Sequence, residues 1–132
     1  MEKPINYNEI KSYIERSHGA LKWAKKGLVE NDYWVAISYS YYAAFYIAKA
    51  FLLSRQIITK THKGTRSEFG KIYDKEKIIS FVLNKWFSKA MQERIMADYE
   101  VSASWTKDEA KQSVYQAEKF VLQLQKLIKM PK

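Results

Sequence analysis

Proline stands only at positions 4 and 131. Nothing between them deletes a backbone N–H or blocks a helical turn. Most windows of the chain carry apolar residues three and four positions apart rather than alternating, which is the period of a helix with one face in a core. An all-α protein is expected. In the first segment Ile10, Tyr13, Ile14, Ser17, Leu21, Ala24 and Leu28 form one stripe. Asn6 with Glu9 three positions on, flanked by Ile5 and Ile10, reads as an N-cap with a hydrophobic staple. Asn31 and Asp32 cap a second helix to about Ser54, in which Trp34, Ile37, Tyr39, Tyr41, Tyr42, Phe45, Tyr46 and Phe51 cover nearly every face. A helix apolar all round is a buried one, and Ala43, Ala44, Ala48 and Ala50 leave room for close neighbours. Its Tyr and Trp are therefore expected in the core rather than on a base-stacking platform.

From Arg55 to Lys63 the periodicity lapses, which predicts a loop. Thr65 to Glu68 then has the pattern of a capping box opening a short helix through Tyr73, and Asp74 is placed to cap the next. That fourth helix steps through Ile79, Val82, Leu83, Trp86, Phe87, Ala90 and Met91, then Arg94, Ile95, Asp98 and Tyr99. After a break around Ser102 to Trp105, Thr106 and Glu109 form a second capping box, followed by the stripe Ala110, Val114, Ala117, Val121, Leu124 and Ile128. The expected architecture is an up-and-down bundle of four long helices plus one short helix, a single domain over residues 1–132.

Composition narrows the function. The 23 Lys and Arg against 14 Asp and Glu leave a net charge of +9, which attracts polyanions such as nucleic acid or nucleotides. With no Cys and two His, His18 and His62, a thiolate nucleophile, disulfides and a Cys- or His-rich metal site are excluded, and neither metal nor cofactor is expected. No secretory leader is visible, so a cytoplasmic protein is expected. The charge-free stretch Tyr33 to Ala48 is shorter than the roughly 18 residues of a membrane span. Phosphate-loop, dinucleotide-binding, GxSxG hydrolase, HExxH and EF-hand patterns do not occur.

Two features carry chemistry. Arg94 and Asp98 stand where the apolar stripe of the fourth helix should continue. Either they pair with each other at the end of the bundle, or they line a cleft or subunit interface where Arg94 binds phosphate bidentately. The segment Arg55 to Lys71 sets Arg55, Lys60, Lys63, Arg66 and Lys71, with His62 among them, against the single acid Glu68. It reads as a solvated loop or as a phosphate-contacting rim at the positive end of the short helix. His18 lies off its stripe and is expected at the surface, and Lys22, Lys25 and Lys26 as solvated charges.

Several blocks in order carry a resemblance: Asp32-Tyr33-Trp34-Val35-Ala36, Ser40-Tyr41-Tyr42-Ala43-Ala44-Phe45, Ala50-Phe51-Leu52-Leu53, Thr61-His62-Lys63-Gly64, Arg94-Ile95-Met96-Ala97-Asp98-Tyr99 and Ala117-Glu118-Lys119-Phe120-Val121. Together they resemble the HEPN superfamily, in its small single-domain prokaryotic branch. The resemblance implies a helical bundle that pairs into a homodimer and acts beside a minimal nucleotidyltransferase in a toxin–antitoxin or defence system. Catalytic HEPN members are metal-independent ribonucleases whose motif is an Arg and a His with four to six residues between them. Arg94 matches the Arg, but the His positions hold Tyr99, Glu100 and Val101. The expected function is a module that binds nucleotide or RNA phosphate through Arg94, Arg55, Lys60, His62, Lys63 and Arg66. The alternatives are an active ribonuclease toxin using Arg94, Asp98 and His62 as catalytic groups, with His62 reaching Arg94 from the loop, or a purely structural dimerisation domain.

Overall fold

In a computed structural model, which describes residues 4–99 and 104–131 with the side chains of 96–99 excepted, the chain folds into five helices. They are α1 Tyr7–Val29, α2 Tyr33–Ser54, α3 His62–Glu76, α4 Phe81–Tyr99 and α5 Lys107–Gln125. The expected all-α bundle is what forms, and the capped starts of α1, α2 and α5 fall where the sequence puts them. The Asn6 side chain accepts from Glu9 N at 3.0 Å. The Asp32 carboxylate accepts from Val35 N at 3.2 Å, and Thr106 and Glu109 close a reciprocal capping box. Each satisfies backbone donors that a helix start leaves without partners.

Helix α2 is the axis of the molecule and touches all four others. Its Tyr41, Ala43, Ala44, Ile47, Ala48, Ala50, Phe51 and Leu52 are fully buried. The small residues let α1 come close enough for the Ser17 hydroxyl to donate to the Ala43 carbonyl at 2.7 Å inside the core. The two helices run antiparallel, with Tyr13 beside Tyr46 and Trp23 beside Tyr39. Their connection turns at Asn31, whose φ of 59° lies in the left-handed region that Asn tolerates.

Gly27 makes that tight connection possible. A Cβ there would meet Val35 Cγ1 at 2.7 Å, the Ala36 amide nitrogen at 2.9 Å and the Asp32 carbonyl at 3.0 Å. Two of the three are backbone atoms that cannot step aside. Gly27→Ala is therefore expected to destabilise the protein by about 1–3 kcal/mol, as overpacking does. Gly19→Ala, where a Cβ meets nothing within 4 Å, should stabilise it by about 0.5–1 kcal/mol. Denaturant melts of the two variants check the opposite signs.

The third helix departs from expectation. It begins at His62 rather than near Thr65, and its N-cap is Thr61, whose hydroxyl accepts from Gly64 N at 2.8 Å. Thr65 lies inside the helix, fully buried; its hydroxyl donates to the Thr61 carbonyl at 3.0 Å and bonds Thr59 at 2.6 Å. A buried hydroxyl bonded on both sides is worth more here than a surface capping box, so helix and loop divide four residues earlier. At the other end α3 runs through Asp74 to Glu76, Lys77 turns left-handed at φ 50°, and the Ser80 hydroxyl, not Asp74, accepts from Leu83 N in α4. The break expected from Ser102 to Trp105 lies partly outside the described residues.

Among the described residues no helix is long and apolar enough to cross a membrane.

Candidate functional site

The early start of α3 puts His62 on its first turn, over the middle of α2. Tyr41 of α2 is fully buried. Its hydroxyl shares a 2.7 Å hydrogen bond with His62 Nδ1. The imidazole lies flat on Phe45, ring centres 3.9 Å apart and 10° from parallel. A hydrogen bond at one edge and a stacked ring beneath hold the imidazole in place, while the Thr59, Thr61 and Thr65 bonds fix the backbone that carries it.

Arg94 reaches the same patch from α4. Its Nη2 donates to the Tyr42 hydroxyl at 2.7 Å, and its guanidinium carbon lies 5.2 Å from the Tyr42 ring centre. Tyr42 in turn meets His62 edge to face at 6.3 Å. Adjacent tyrosines of one helix thus hold the two groups, Tyr41 the histidine and Tyr42 the arginine. All but Tyr41 and Phe45 remain half-exposed.

The electrostatics follow from the placement. Burial of the imidazole lowers its pKa below the usual histidine value, and the charges of Arg94 and then Lys49 lower it further. His62 is accordingly neutral at pH 7. Burial pushes the Tyr41 phenol well above its ordinary range, against the opposing pull of Arg94 and, more weakly, Arg66. Tyr41 therefore stays protonated and can serve either end of its bond. If the phenol donates to Nδ1, the ring proton sits on Nε2; if Nδ1–H donates to the phenol, Nε2 keeps its lone pair and is a base.

The lowered pKa has a measurable sign. An unfolded histidine takes up its proton near pH ~6.5, whereas the fold keeps His62 neutral to lower pH. Between the two values the unfolded chain binds more protons, so stability present above pH ~6.5 is lost as the pH falls through that window. Urea midpoints at about pH 5 and pH 7.5 should differ, and His62→Gln should narrow the difference. An identical difference in both proteins would contradict the assignment.

The remaining basic residues separate. Arg66, one turn after His62, is half-buried, and Lys60 and Lys63 are exposed beside the start of α3. Arg55, expected on the same rim, instead forms a 2.6 Å ion pair with Glu76. Glu76 ends α3 about 20 Å of helix away from His62, so Arg55 is not part of this patch. The segment is also less one-sided than its local count, because Lys71 pairs with Glu68 at 3.1 Å. Of the charges expected to be merely solvated, Lys25 bridges to Glu118 at 3.0 Å. His18 is exposed and bonds Gln125 at 2.7 Å. The side chains of Asp98, one turn beyond Arg94, and of Tyr99 lie outside what the structure describes, as do Glu100 and Val101.

Sequence reasoning missed Tyr41, Tyr42, Phe45 and Lys49 as parts of the site. One signal was available: Lys49 is the sole charged residue in α2, and Tyr39, Tyr42 and Tyr46 precede it at steps of three and four. That is a helix face marked as wet by its single charge. The expectation that the Tyr and Trp of α2 lie in the core holds for Tyr41 and fails for Trp34, which is 47% exposed, and for Tyr39, Tyr42 and Tyr46, which are half-exposed.

The bundle thus sets a neutral histidine, able to move a proton, beside an arginine, able to bind an anion, on one basic face. The HEPN domain profile matches residues 10–127, and the chain belongs to the HEPN family, as the ordered blocks of its sequence imply. Among its relatives, "Putative toxin MJ0605" of Methanocaldococcus jannaschii is 35% identical over 122 residues, 92% of this chain and 90% of that protein. "Putative toxin MJ0142" of the same organism is 28% identical over 121 residues, covering 91% of this chain and 82% of its own length. A UPF0332 protein of Thermotoga maritima is 27% identical over 125 residues, 92% and 95% of the two chains.

Proposed function

We propose that this HEPN domain is the toxin component of a toxin–antitoxin pair and a metal-independent ribonuclease, with Arg94 binding the scissile phosphate and His62 moving the proton. The observation that carries the reading is the meeting of a neutral imidazole and a guanidinium on adjacent tyrosines of α2. The names of two relatives support the toxin assignment.

In the cleavage step the RNA 2′-hydroxyl oxygen attacks the neighbouring phosphorus and gives its proton to His62 Nε2. The bond from phosphorus to the 5′ oxygen breaks, and the imidazolium returns the proton to that leaving oxygen. The products are a 2′,3′-cyclic phosphate and a 5′-hydroxyl. Arg94 neutralises charge building on the non-bridging oxygens, work suited to a planar fork of donors. Lys49, Arg66, Lys60 and Lys63 add to the field that draws the polyanion in. A homodimer and a minimal nucleotidyltransferase partner complete the proposal, on the family resemblance alone.

One observation favours a second reading, that the same face binds RNA or nucleotide phosphate without turnover. The histidine of the family motif is replaced, with Tyr99, Glu100 and Val101 at its positions. Incubation of the purified protein with labelled RNA in chelator separates the two. Fragments ending in cyclic phosphate are the expected result; salt-sensitive retention without fragments would select the binding module, and neither would overturn both.

A further inference from the structure

One end of the α4–α5 pair is basic, free of acids and apolar at its surface. Residues 77–92 and 119–132 hold seven lysines and no Asp or Glu. The same stretches expose Phe81, Val82, Leu122, Leu127 and Met130, each between 38% and 67%. Of the lysines, Lys89 pairs with Glu93 at 3.6 Å. Lys85, Lys126 and Lys129 have no carboxylate partner among the described residues.

The two helices bring these residues together. Trp86 and Phe87 of α4 pack on Phe120 of α5, and Glu93 lies within electrostatic reach of Glu109, so the pair runs antiparallel. Val82 stands one turn before Trp86, and Leu127 two turns after Phe120. They therefore share one end of the pair, each on the side of its own helix that faces the other. Past Gln125 the chain tightens, with Leu127 N donating to the Leu124 carbonyl at 3.0 Å and Ile128 N to the Gln125 carbonyl at 3.1 Å, and buried Ile128 anchors it. Exposure falls from 59% at Val82 to half-buried Trp86, so the apolar strip dips between the helices. Lys85 and Lys126 are exposed beside it.

We infer that this strip is a docking groove for an acidic amphipathic helix of a partner protein. The apolar face of that helix covers Val82, Trp86 and Leu127, and its flanking Asp and Glu meet the lysines. An apolar floor between two helices with one sign of charge along its rims is what helix-in-groove binding uses. A nucleic acid would supply the negative charge but nothing to cover Val82, Leu127 and Met130. A second copy would set lysines against lysines across a two-fold contact, so the homodimer proposed above forms through a different face. The inference uses neither His62 nor Arg94, and it stands or falls apart from the proposed cleavage.

The test is fluorescence anisotropy with a labelled synthetic peptide about 18 residues long, ~27 Å of helix. It carries Leu at i, i+3, i+4 and i+7 and Glu on its other face, and a second peptide scrambles the same composition. Wild type should bind the amphipathic peptide about 10-fold or more tightly than the scramble, and more weakly as salt is added. Val82→Asp/Leu127→Asp and Lys85→Glu/Lys126→Glu should each weaken binding about 10-fold. Lys11→Glu/Lys22→Glu, the same change of charge on exposed residues of α1, should leave it unchanged. All variants are checked for folding by circular dichroism, and the lysine pair keeps the test readable if aspartate at 82 and 127 disturbs the fold. No binding of the amphipathic peptide, equal affinity for the scramble, or an equal loss in the α1 variant would each overturn the groove. Wild type that pellets with phosphatidylglycerol vesicles but binds neither peptide would overturn it too and assign the strip to a lipid surface.

Discussion

If the proposed mechanism holds, His62→Ala should slow metal-free RNA cleavage by about 10²- to 10⁴-fold, the usual contribution of a positioned proton-transfer group. Arg94→Ala should cost about 10²- to 10³-fold through the loss of charge stabilisation at the phosphate. The two differ in kind. The imidazole is neutral and held by Tyr41 and Phe45, so its removal lowers the chemical rate and leaves RNA affinity nearly intact. The guanidinium is a charge facing a polyanion, so its removal raises KM as well and flattens the dependence of binding on salt. Arg94→Lys recovers affinity better than rate, because an ammonium keeps the charge and loses the planar fork. Single-turnover cleavage at several RNA concentrations resolves these effects. A His62→Ala rate indistinguishable from wild type would remove His62 from the chemistry.

Phe120→Ala should cost about 3–5 kcal/mol, the range for deleting a fully buried aromatic. Phe120 is 0% exposed and is where three helices meet. Its ring centre lies 4.8 Å from Phe87 of α4, 5.9 Å from Trp86 of the same helix and 5.6 Å from Phe69 of α3. No neighbour can fill the hole without leaving its own place. The loss is a large share of the roughly 5–15 kcal/mol that holds a domain of this size together, and it should lower the thermal midpoint by about 10–20 °C. Because α3 and α4 carry His62 and Arg94, partial unfolding of this cluster would also loosen the site, visible as a faster loss of cleavage on warming.

How much of this could be read in advance differs from element to element. The starts of α1, α2 and α5 were legible because Asn6, Asp32 and Thr106 act within one turn of chain, and such local bonds appear in the sequence as spacing. The start of α3 was not, since Thr61 and Thr65 are both acceptable caps locally and the choice is made by burial of Thr65 against Thr59. The site is less legible still. Helix α2 is apolar on almost every face, so it carries little phase from which to tell inward Tyr41 from outward Tyr42. His62 and Arg94 come together only because three helices pack, and no short-range pattern records that. Arg55 was misplaced for a related reason: its partner Glu76 lies beyond the stretch over which the charges were counted.

The central claim, that His62 and Arg94 form one electrostatic unit, is tested most directly by an NMR titration of the His62 ring in wild type and in Arg94→Ala. With two histidines in the chain, His18→Gln identifies the resonance. The account predicts a wild-type midpoint below the ordinary value of about 6.5, and an upward move when the guanidinium is removed. A midpoint at or above the ordinary value that Arg94→Ala leaves in place would contradict it.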